Sequence, residues 1–262
     1  MSVQSQYSDR VIAGMQMVYG KGFLSPGAAP EVTEILEGID ITGLDVLDLG
    51  CGIGGAALML AGEFGAKHVT GVDIEADSVK RATAAAEEAG LGGRVRFVHT
   101  APGPLPVPDG AVDIVFTKDV ICHVADKPAL FADVFRVLKP GGRFLCADFL
   151  DGEADGEAAV LFVAWVDMLK TFGLSFHYEG RPAYEAALAD AGFVDVAIRD
   201  HTANSAGVAR REHAFATSDD GRHVREVLGE DYFDVRIRLS SLRAEALEAR
   251  GVLHLHIDAR RP

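Results

Sequence analysis

The sequence has few of the features that mark secreted, membrane and nucleic-acid-binding proteins. Its three cysteines, Cys51, Cys122 and Cys146, are too few and too far apart for a disulfide framework or a zinc knuckle. It lacks an apolar run of about 18 residues, and its first ten residues lack the regions of a signal peptide. Basic residues number 25 against 39 acidic ones, and the net charge of −14 disfavours nucleic-acid and membrane partners. We expect a cytoplasmic protein that acts on small molecules. Its oligomeric state cannot be read from the sequence.

Short apolar runs alternate with amphipathic stretches along the chain, which is typical of a parallel sheet covered by helices. The pattern predicts an α/β fold with a doubly wound, mostly parallel seven-stranded sheet of the Rossmann-like kind. The predicted strands are 45–49, 68–73, 94–99, 112–116, 142–149, 193–200 and 252–259. The predicted helices are 55–63, 77–89, 127–138 and 155–172, with a charged helical stretch over 204–250.

A glycine-rich turn gives the strongest local signal. The segment VLDLGCGIGG, from Val46 to Gly55, joins an apolar strand to the start of a helix. Glycine allows a sharp turn and a close approach of backbone to ligand, and the helix start offers free N–H groups. Gly50, Gly52 and Gly55 fit the spacing of a dinucleotide site, whereas Gly50, Gly52 and Gly54 fit that of a methyl-donor site.

Two acidic residues help to choose between these ligands. Asp73 ends the second predicted strand, 23 residues after Gly50, where a carboxylate can accept hydrogen bonds from ribose hydroxyls. Asp48 lies inside the first strand, where a buried carboxylate is costly unless it is hydrogen-bonded or faces a cation. It would repel a pyrophosphate but tolerate the sulfonium and amino group of S-adenosylmethionine (SAM). A methyl donor is therefore favoured, and an NAD-dependent oxidoreductase is the disfavoured alternative.

Four motifs, DLGCGIG, GVDI, LPVPDGAVDIV and VLKPGG, occur in the order found in class I SAM-dependent methyltransferases, which the chain resembles over residues 44–149. The resemblance implies SAM as cofactor and S-adenosyl-L-homocysteine as product. It implies that Asp73 holds the ribose and that Ile74 packs on the adenine. It also implies a lining for the methionine end of SAM, made by Asp48, Gly50, Cys51, Gly52 and Gly54.

Asp119 and His123 follow the fourth predicted strand and are four residues apart, so a helical turn would place them on one side. Methyl transfer requires mainly that the acceptor is oriented and loses a proton. An imidazole with a pKa near 6.5 is suited to accept that proton, and a carboxylate can orient it. We predict that His123 is the base and Asp119 its partner. A structural histidine and a helix cap are the alternatives.

The block QYSD followed by YGKGFLSPG, within residues 6–27, is similar to the phosphoethanolamine (phosphobase) N-methyltransferases, as is the pair Asp119 and His123. This resemblance implies an N-terminal lid, with Ser25 touching the donor and Lys118 near the donor's carboxylate. Where that family has tyrosines, this chain has Met15, Phe23 and Phe149, which suggests a more apolar acceptor pocket. The candidate acceptor residues are Met15, Phe23, Phe149, Tyr178 and Arg181.

We expect a single methyltransferase domain with a lid over 1–40, a SAM-binding core over 41–150, cap helices over 151–192 and 201–250, and last strands over 193–200 and 251–262. The predicted activity is methyl transfer from SAM to a small acceptor, with an amine nitrogen favoured. The alternatives are O- or C-methylation of an apolar or aromatic metabolite, and a non-catalytic binding module. His254 and His256 share one face of the last strand without a third ligand nearby, so no metal site is expected.

Overall fold

The computed structural model describes residues 8–173 and 175–262, and it contains the predicted seven-stranded sheet. The strand order is β3-β2-β1-β4-β5-β7-β6, and β7 runs antiparallel to both β5 and β6. The strands are β1 Asp45–Leu49, β2 His68–Asp73, β3 Val95–His99, β4 Val112–Lys118, β5 Leu138–Asp151, β6 Val194–Asp200 and β7 Val252–Arg260.

Helices cover both faces of the sheet. They are α1 Asp9–Tyr19, α2 Ala28–Ile35, α3 Gly55–Gly62, α4 Ala76–Glu88, α5 Lys127–Val137, α6 Gly156–Lys170, α7 Arg181–Ala191, α8 Thr202–Thr217, α9 Arg222–Leu228 and α10 Glu230–Glu248, with a 3₁₀ turn at Ile121–His123. Neighbouring residues of one strand point to opposite faces, so Val46 packs in the core beneath α2 and α3 while Leu47 packs in the core beneath α5 and α7. Burial on both faces is why the central strands read as continuous apolar runs.

Two parts of the helical layer differ from the sequence prediction. Helix α2 was not predicted, because it is only eight residues long and has Pro30 in its first turn. The stretch 204–250, predicted as helical without internal boundaries, is divided among three helices: a turn at 218–221 separates α8 from α9, and Gly229, with φ of +73°, separates α9 from α10. Glycine readily adopts such a left-handed conformation, which ends one helix and redirects the chain into the next.

A third apolar cluster lies under the cap formed by α6, α8 and α10. Phe149 at the end of β5 packs there against Trp165, Leu239 and Leu247. The cap therefore covers the carboxyl end of β5, beside the ends of β1 and β4. In a doubly wound sheet, this edge is where ligands bind. Within the described part of the chain, no helix combines the length and the apolar character needed to cross a membrane.

Candidate active site

The glycine turn after β1 has the conformation that its sequence predicts. Gly50, Gly52 and Gly54 have φ values of +73°, +51° and +93°, which residues other than glycine rarely adopt. The N–H of Gly50 donates a 2.9 Å hydrogen bond to the carbonyl of Val72 on β2. A Cβ at Gly50 would lie 2.3 Å from a methyl carbon of Val120, so this position has room only for glycine. The turn therefore carries no side chain at these three positions, where it leads into α3.

Asp48 is buried in β1, directly below this turn. Among the described residues, none donates a hydrogen bond to its Oδ2 atom. Burial, with a smaller contribution from the nearby charge of Asp73, raises the pKa of Asp48 to about 7. A buried carboxylate that is left unpaired is costly, and a bound cationic group would remove that cost. The residue fits a positively charged ligand.

Asp73 and Ile74 lie at the end of β2. The Oδ2 atom of Asp73 accepts a 2.8 Å hydrogen bond from the N–H of Gly52, and Oδ1 accepts one of 2.8 Å from the N–H of Glu75. Asp73 thus fixes the glycine turn, and each oxygen keeps a lone pair for a ligand hydroxyl. Ile74 is 55% exposed, an apolar side chain available to pack on a flat ligand. The proposed contacts with ribose and adenine remain predictions.

The N-terminal segment lies against the glycine turn. The N–H of Gly55 donates a 3.1 Å hydrogen bond to the carbonyl of Gly22, whose own N–H donates to Oε1 of Gln16. Phe23 is buried against Gly55, and Met15 is buried on α1. The segment therefore packs on the glycine turn, and its role as a lid over a methyl donor remains a prediction. The predicted lid residues 1–7, including Gln6 and Tyr7 of the family block, lie outside the described residues.

Lys118 ends β4 and reaches the lid. Its ammonium donates hydrogen bonds to Oγ of Ser25 at 2.9 Å and to the carbonyl of Pro26 at 2.5 Å. It also pairs with Oε2 of Glu31 at 2.9 Å and with Asp119. The structure thus brings Ser25 and Lys118 together. Their predicted contact with the donor remains untested, and in this conformation the ammonium is bound to four oxygen atoms of the protein.

Asp119 and His123 lie on the loop after β4, but the structure does not pair them directly. Asp119 has φ of +58°, and its Oδ1 lies 3.4 Å from Nε2 of His254. His123 instead has its Nδ1 atom 2.7 Å from the carbonyl of Ser175, and its ring packs on Phe176 with centroids 4.4 Å apart. The loop is a 3₁₀ turn rather than a helix, so four residues of spacing do not bring the two side chains into register.

Two of the five predicted acceptor residues are aromatic side chains near this loop, Phe149 buried and Tyr178 partly buried. Phe149 stacks on His254 at 4.2 Å, and Tyr178 stacks on Phe176 at 5.4 Å. Arg181 differs from them. Its guanidinium is exposed at the start of α7 and forms an ion pair with Glu185 one turn along the same helix. Arg181 is therefore a surface residue, and its proposed role in acceptor binding lacks structural support.

Comparison with known proteins relates this arrangement to a protein family. Residues 47–146, which include the glycine turn and β4, match the model of a family described as a methyltransferase domain. Residues 47–146 therefore resemble a methyltransferase domain. The sheet order is that of the class I methyltransferase fold.

Two relatives with matching sequences are both named as phosphoethanolamine N-methyltransferases. Phosphoethanolamine N-methyltransferase 1 of Arabidopsis thaliana is 34% identical over 232 residues, which are 88% of this chain and 45% of the relative. The corresponding enzyme of Triticum aestivum is 33% identical over 232 residues, 88% of this chain and 44% of the relative. The chain thus spans less than half the length of these two N-methyltransferases, which it resembles.

Solved structures support the fold. The structure of Haemonchus contortus phosphoethanolamine N-methyltransferase 2, bound to phosphomonomethylethanolamine and S-adenosylhomocysteine, superposes with a TM-score of 0.87 at 23% identity. It covers 98% of this chain and 58% of that chain. The [4+2]-cyclase SpnF superposes with a TM-score of 0.74 at 21% identity, over 97% of this chain and 93% of that one. The second match illustrates that this fold does not determine the reaction.

Sequence reasoning missed one buried group that lies outside the matched residues 47–146. Glu31 of α2 places its Oε1 atom 3.3 Å from Nδ1 of His254 and 3.3 Å from Nε2 of His256. The two histidines were found by their alternation on β7, but the expectation that no third ligand-type side chain lies near them was wrong. Glu31 is 225 positions from His256, and α2 was not predicted, so no local pattern could have joined them.

A cavity of about 220 Å³ lies beside this group, between the lid and the cap. Phe149 and His254 form one wall, and α8 and α10 contribute Arg211 and Arg243 on the other side. Of the five predicted acceptor residues, only Phe149 lines it within the described ranges. The polar groups of the opposite wall also had no motif that could reveal them.

Proposed function

We propose that this protein transfers a methyl group from SAM to an amine nitrogen of a small molecule. The observation that carries the proposal is Asp48, whose buried Oδ2 atom lacks a hydrogen-bond donor among residues 8–173 and 175–262. A ligand with a sulfonium and an ammonium group supplies the missing positive charge. A dinucleotide would instead bring a pyrophosphate toward a carboxylate, which is unfavourable.

The remaining residues of this edge suit the rest of SAM. The turn of Gly50, Cys51, Gly52 and Gly54 would lie along the methionine part, Asp73 would accept hydrogen bonds from the ribose, and Ile74 would pack on the adenine. When bound, SAM supplies a methyl group that its positive sulfur activates toward nucleophiles. The protein's task is then to hold the acceptor in line and to remove a proton from it.

His123 is suited to that proton transfer. Burial lowers the pKa of His123, so the imidazole is neutral near pH 7. Its Nδ1 atom lies against the carbonyl oxygen of Ser175, which can only accept a hydrogen bond. We therefore assign the proton to Nδ1, which leaves Nε2 as the basic nitrogen. A protonated amine must lose a proton before its lone pair can attack, and Nε2 of His123 would take it.

The choice of nitrogen is supported by the relatives and by the aromatic side chains. The matched relatives are named as phosphoethanolamine N-methyltransferases. Phe149 lines the cavity, and an aromatic ring there can attract a methylated ammonium group. The same apolar wall also favours a second candidate, O- or C-methylation of an aromatic or apolar metabolite, because phenylalanine stands at position 149 where the phosphobase family has tyrosine.

Two coarser inferences accompany the proposal. The net charge of −14 supports small-molecule rather than nucleic-acid partners, and we place the protein in the cytoplasm. We also retain the proposal that the lid, core and cap form one methyltransferase domain, since α1, α8 and α9 pack against one another in the described residues.

The test has two stages. Isothermal titration of the purified protein with SAM, S-adenosylhomocysteine and NADH should show binding of the first two only. Transfer of radioactive methyl from SAM should then be measured with small amines, phosphoethanolamine, phenols and keto acids as separate acceptors. Incorporation into amines supports the proposal, and incorporation into phenols or carbon acids selects the second candidate. Binding of NADH without SAM would overturn both.

A further inference from the structure

Four charged side chains meet beneath the lid, and we call them the charged quartet: Glu31, Lys118, Asp119 and His254. Glu31 comes from α2 of the lid, Lys118 and Asp119 from the end of β4, and His254 from β7. Each of the four side chains is at most 7% exposed. Lys118 contacts both carboxylates, and His254 lies 3.3 Å from Glu31 and 3.4 Å from Asp119.

The charges of the quartet support one another. Burial alone would raise the carboxyl pKa values, but Lys118 and His254 outweigh it and hold the pKa of Glu31 and that of Asp119 below their usual values. Burial would likewise lower the pKa of His254, and the two carboxylates outweigh it and raise that pKa. With His254 protonated, two cations balance two anions, which is the condition under which buried charges are tolerated.

The same region has the outline of a cation site, since Glu31, His254 and His256 bring three ligand-type atoms within 4.8 Å of one another. The ammonium of Lys118 lies 2.9 Å from Glu31 and already supplies the positive charge that the carboxylate needs. Nδ1 of His254 also lies 2.5 Å from Oγ of Ser205, so this nitrogen has a hydrogen-bond partner. Lys118 and Ser205 therefore already partner two of these three groups, and Nε2 of His256 lies 3.3 Å from Oε1 of Glu31.

We propose that His254 is a positioning residue of the methyltransferase, which joins the lid to the loop after β4 because its imidazolium attracts Glu31 on one side and Asp119 on the other. The attraction is between charges: the hydrogen bond of Nδ1 goes to Ser205, and Nε2 lacks a hydrogen-bond partner among the described residues. This inference rests on the proposed function. On one side, His254 holds α2 and thereby the segment that covers the glycine turn. On the other, it lies 3.4 Å from Asp119, whose φ of +58° is in the left-handed region that aspartate adopts more readily than most side chains.

Further groups complete the surroundings of His254. Phe149 stacks on its ring, Ser205 of α8 lies against Nδ1, and His256 approaches it edge-on with centroids 5.9 Å apart. His201, which precedes α8, stacks on His256 at 3.6 Å. The cavity that His254 lines is also lined by four charged side chains outside the quartet: Glu34, Arg211, Glu212 and Arg243.

The expected pH dependence follows from the sign of the shift. A histidine whose pKa is raised in the folded state is positively charged below that pKa, and its attraction to the carboxylates then stabilises the fold. This stabilisation is lost as the pH rises through the folded pKa. The lid should therefore loosen above neutral pH. Hydrogen exchange at the amides of Gly22 and Gly55 reports this directly. The amide of Gly55 donates to the carbonyl of Gly22 and joins the glycine turn to the lid, and the amide of Gly22 donates to the side chain of Gln16 within the lid.

The experiment compares His254→Gln with His256→Gln in the full chain. Both histidines lie 3.3 Å from Glu31, but of the two only His254 also has an approach to Asp119 in the described structure. We expect His254→Gln to lower exchange protection over residues 20–31 at least tenfold at pH 6.5, to weaken SAM binding about tenfold, and to abolish the pH dependence of the exchange protection. His256→Gln should keep that pH dependence. Glu31→Gln, an isosteric change on the lid side, should reproduce the loss.

Equal protection in His254→Gln and the unaltered protein would overturn the proposal, as would the same loss in both histidine variants. One zinc ion per chain in the purified protein, measured by mass spectrometry, would also overturn it. If the unaltered protein fails to bind SAM, the proposed function fails, while the exchange measurement still tests the tie between lid and loop. Unchanged circular dichroism spectra show that a variant is folded.

Discussion

The donor edge, formed by the glycine turn with Asp48, Asp73 and Ile74, and the charged quartet are built in opposite ways. The donor edge is formed by the ends of the neighbouring strands β1 and β2. The positions of its side chains are determined by the local backbone conformation and by hydrogen bonds such as that from Gly52 to Asp73. The quartet joins α2, β4 and β7, which are remote in sequence and meet because of the sheet order. One region depends on local conformation and the other on the whole topology, so different substitutions should damage them.

The largest effect on SAM binding is expected from a substitution at Gly50, where the local conformation excludes any side chain. Gly50→Ala adds a methyl group 2.3 Å from Val120 and keeps a φ of +73°. We expect no measurable SAM binding by calorimetry. Gly43→Ala is the matched control, because Gly43 has φ of +76° with open space around it. It should cost only the left-handed strain, about 1 kcal/mol of unfolding free energy, and leave SAM binding unchanged. Equal damage in both variants would mean that strain alone is responsible.

His123→Gln should lower turnover by about 100-fold or more while SAM affinity changes little, because glutamine keeps a donor for Ser175 but cannot accept the proton. The pH profile provides a second readout. The pKa of His123 is lowered, so kcat/KM should rise with a midpoint below pH 6.5 and then reach a plateau. The variant should lose this rise. Unchanged turnover would show that orientation of the acceptor is sufficient.

Asp48→Asn should separate binding from stability. SAM affinity should fall several tens of fold, because the amide carries no charge. The folded pKa of Asp48, about 7, lies above the ordinary value of 3.8, so the folded state keeps a proton that the unfolded chain loses. Each unit of that difference costs about 1.4 kcal/mol as the pH rises from 4 to 7. The variant without SAM should therefore be more stable at pH 8, by roughly 2 kcal/mol in urea unfolding.

A matched comparison at pH 3.5 controls that result. There the carboxyl is largely protonated in both states, so the two proteins should unfold at nearly the same urea concentration. A stability gain that is independent of pH would contradict the assignment of a raised pKa to Asp48.

The sequence predicted the donor edge well because its determinants are local. The bounds of β1 and β2 match the prediction residue by residue, and the turn glycines have the positive φ values that their spacing implies. The roles given to Asp48, Asp73 and Ile74 toward SAM remain to be tested. At the acceptor side, the sequence identified Asp119 and His123 as candidates but not their contacts, since the 3₁₀ turn and the approach of Ser175 depend on tertiary packing.

The quartet was beyond sequence reasoning for a physical reason. A buried Glu or Lys has no periodic signature, and Glu31 occurs in a short helix whose Pro30 and preceding glycine read as a turn. Only the sheet order β4-β5-β7 brings Lys118, Asp119 and His254 to one end of the molecule. Long-range assembly of this kind can be recognised after the fold is known.

A smaller effect is expected at Ile74. Its side chain is 55% exposed, so Ile74→Ala removes little that the folded protein uses, and the unfolding free energy should change by less than about 0.5 kcal/mol. If Ile74 packs on the adenine, SAM should bind about five- to tenfold more weakly. Val160→Ala is a suitable control, since Val160 is an apolar side chain exposed on α6. Equal SAM affinity in both variants would remove Ile74 from the donor site.

The smallest effect is expected for Arg181→Ala, which tests how far the acceptor site extends. Arg181 forms an exposed ion pair with Glu185 four residues along α7, and such pairs contribute about 0.3–0.5 kcal/mol. Turnover and the KM of the acceptor should therefore stay within twofold of the unaltered protein, and Glu185→Ala should behave the same way. If Arg181→Ala alone raised the acceptor KM tenfold, its guanidinium would bind the acceptor. The acceptor pocket would then be a second region assembled by distant contacts that change when ligand binds.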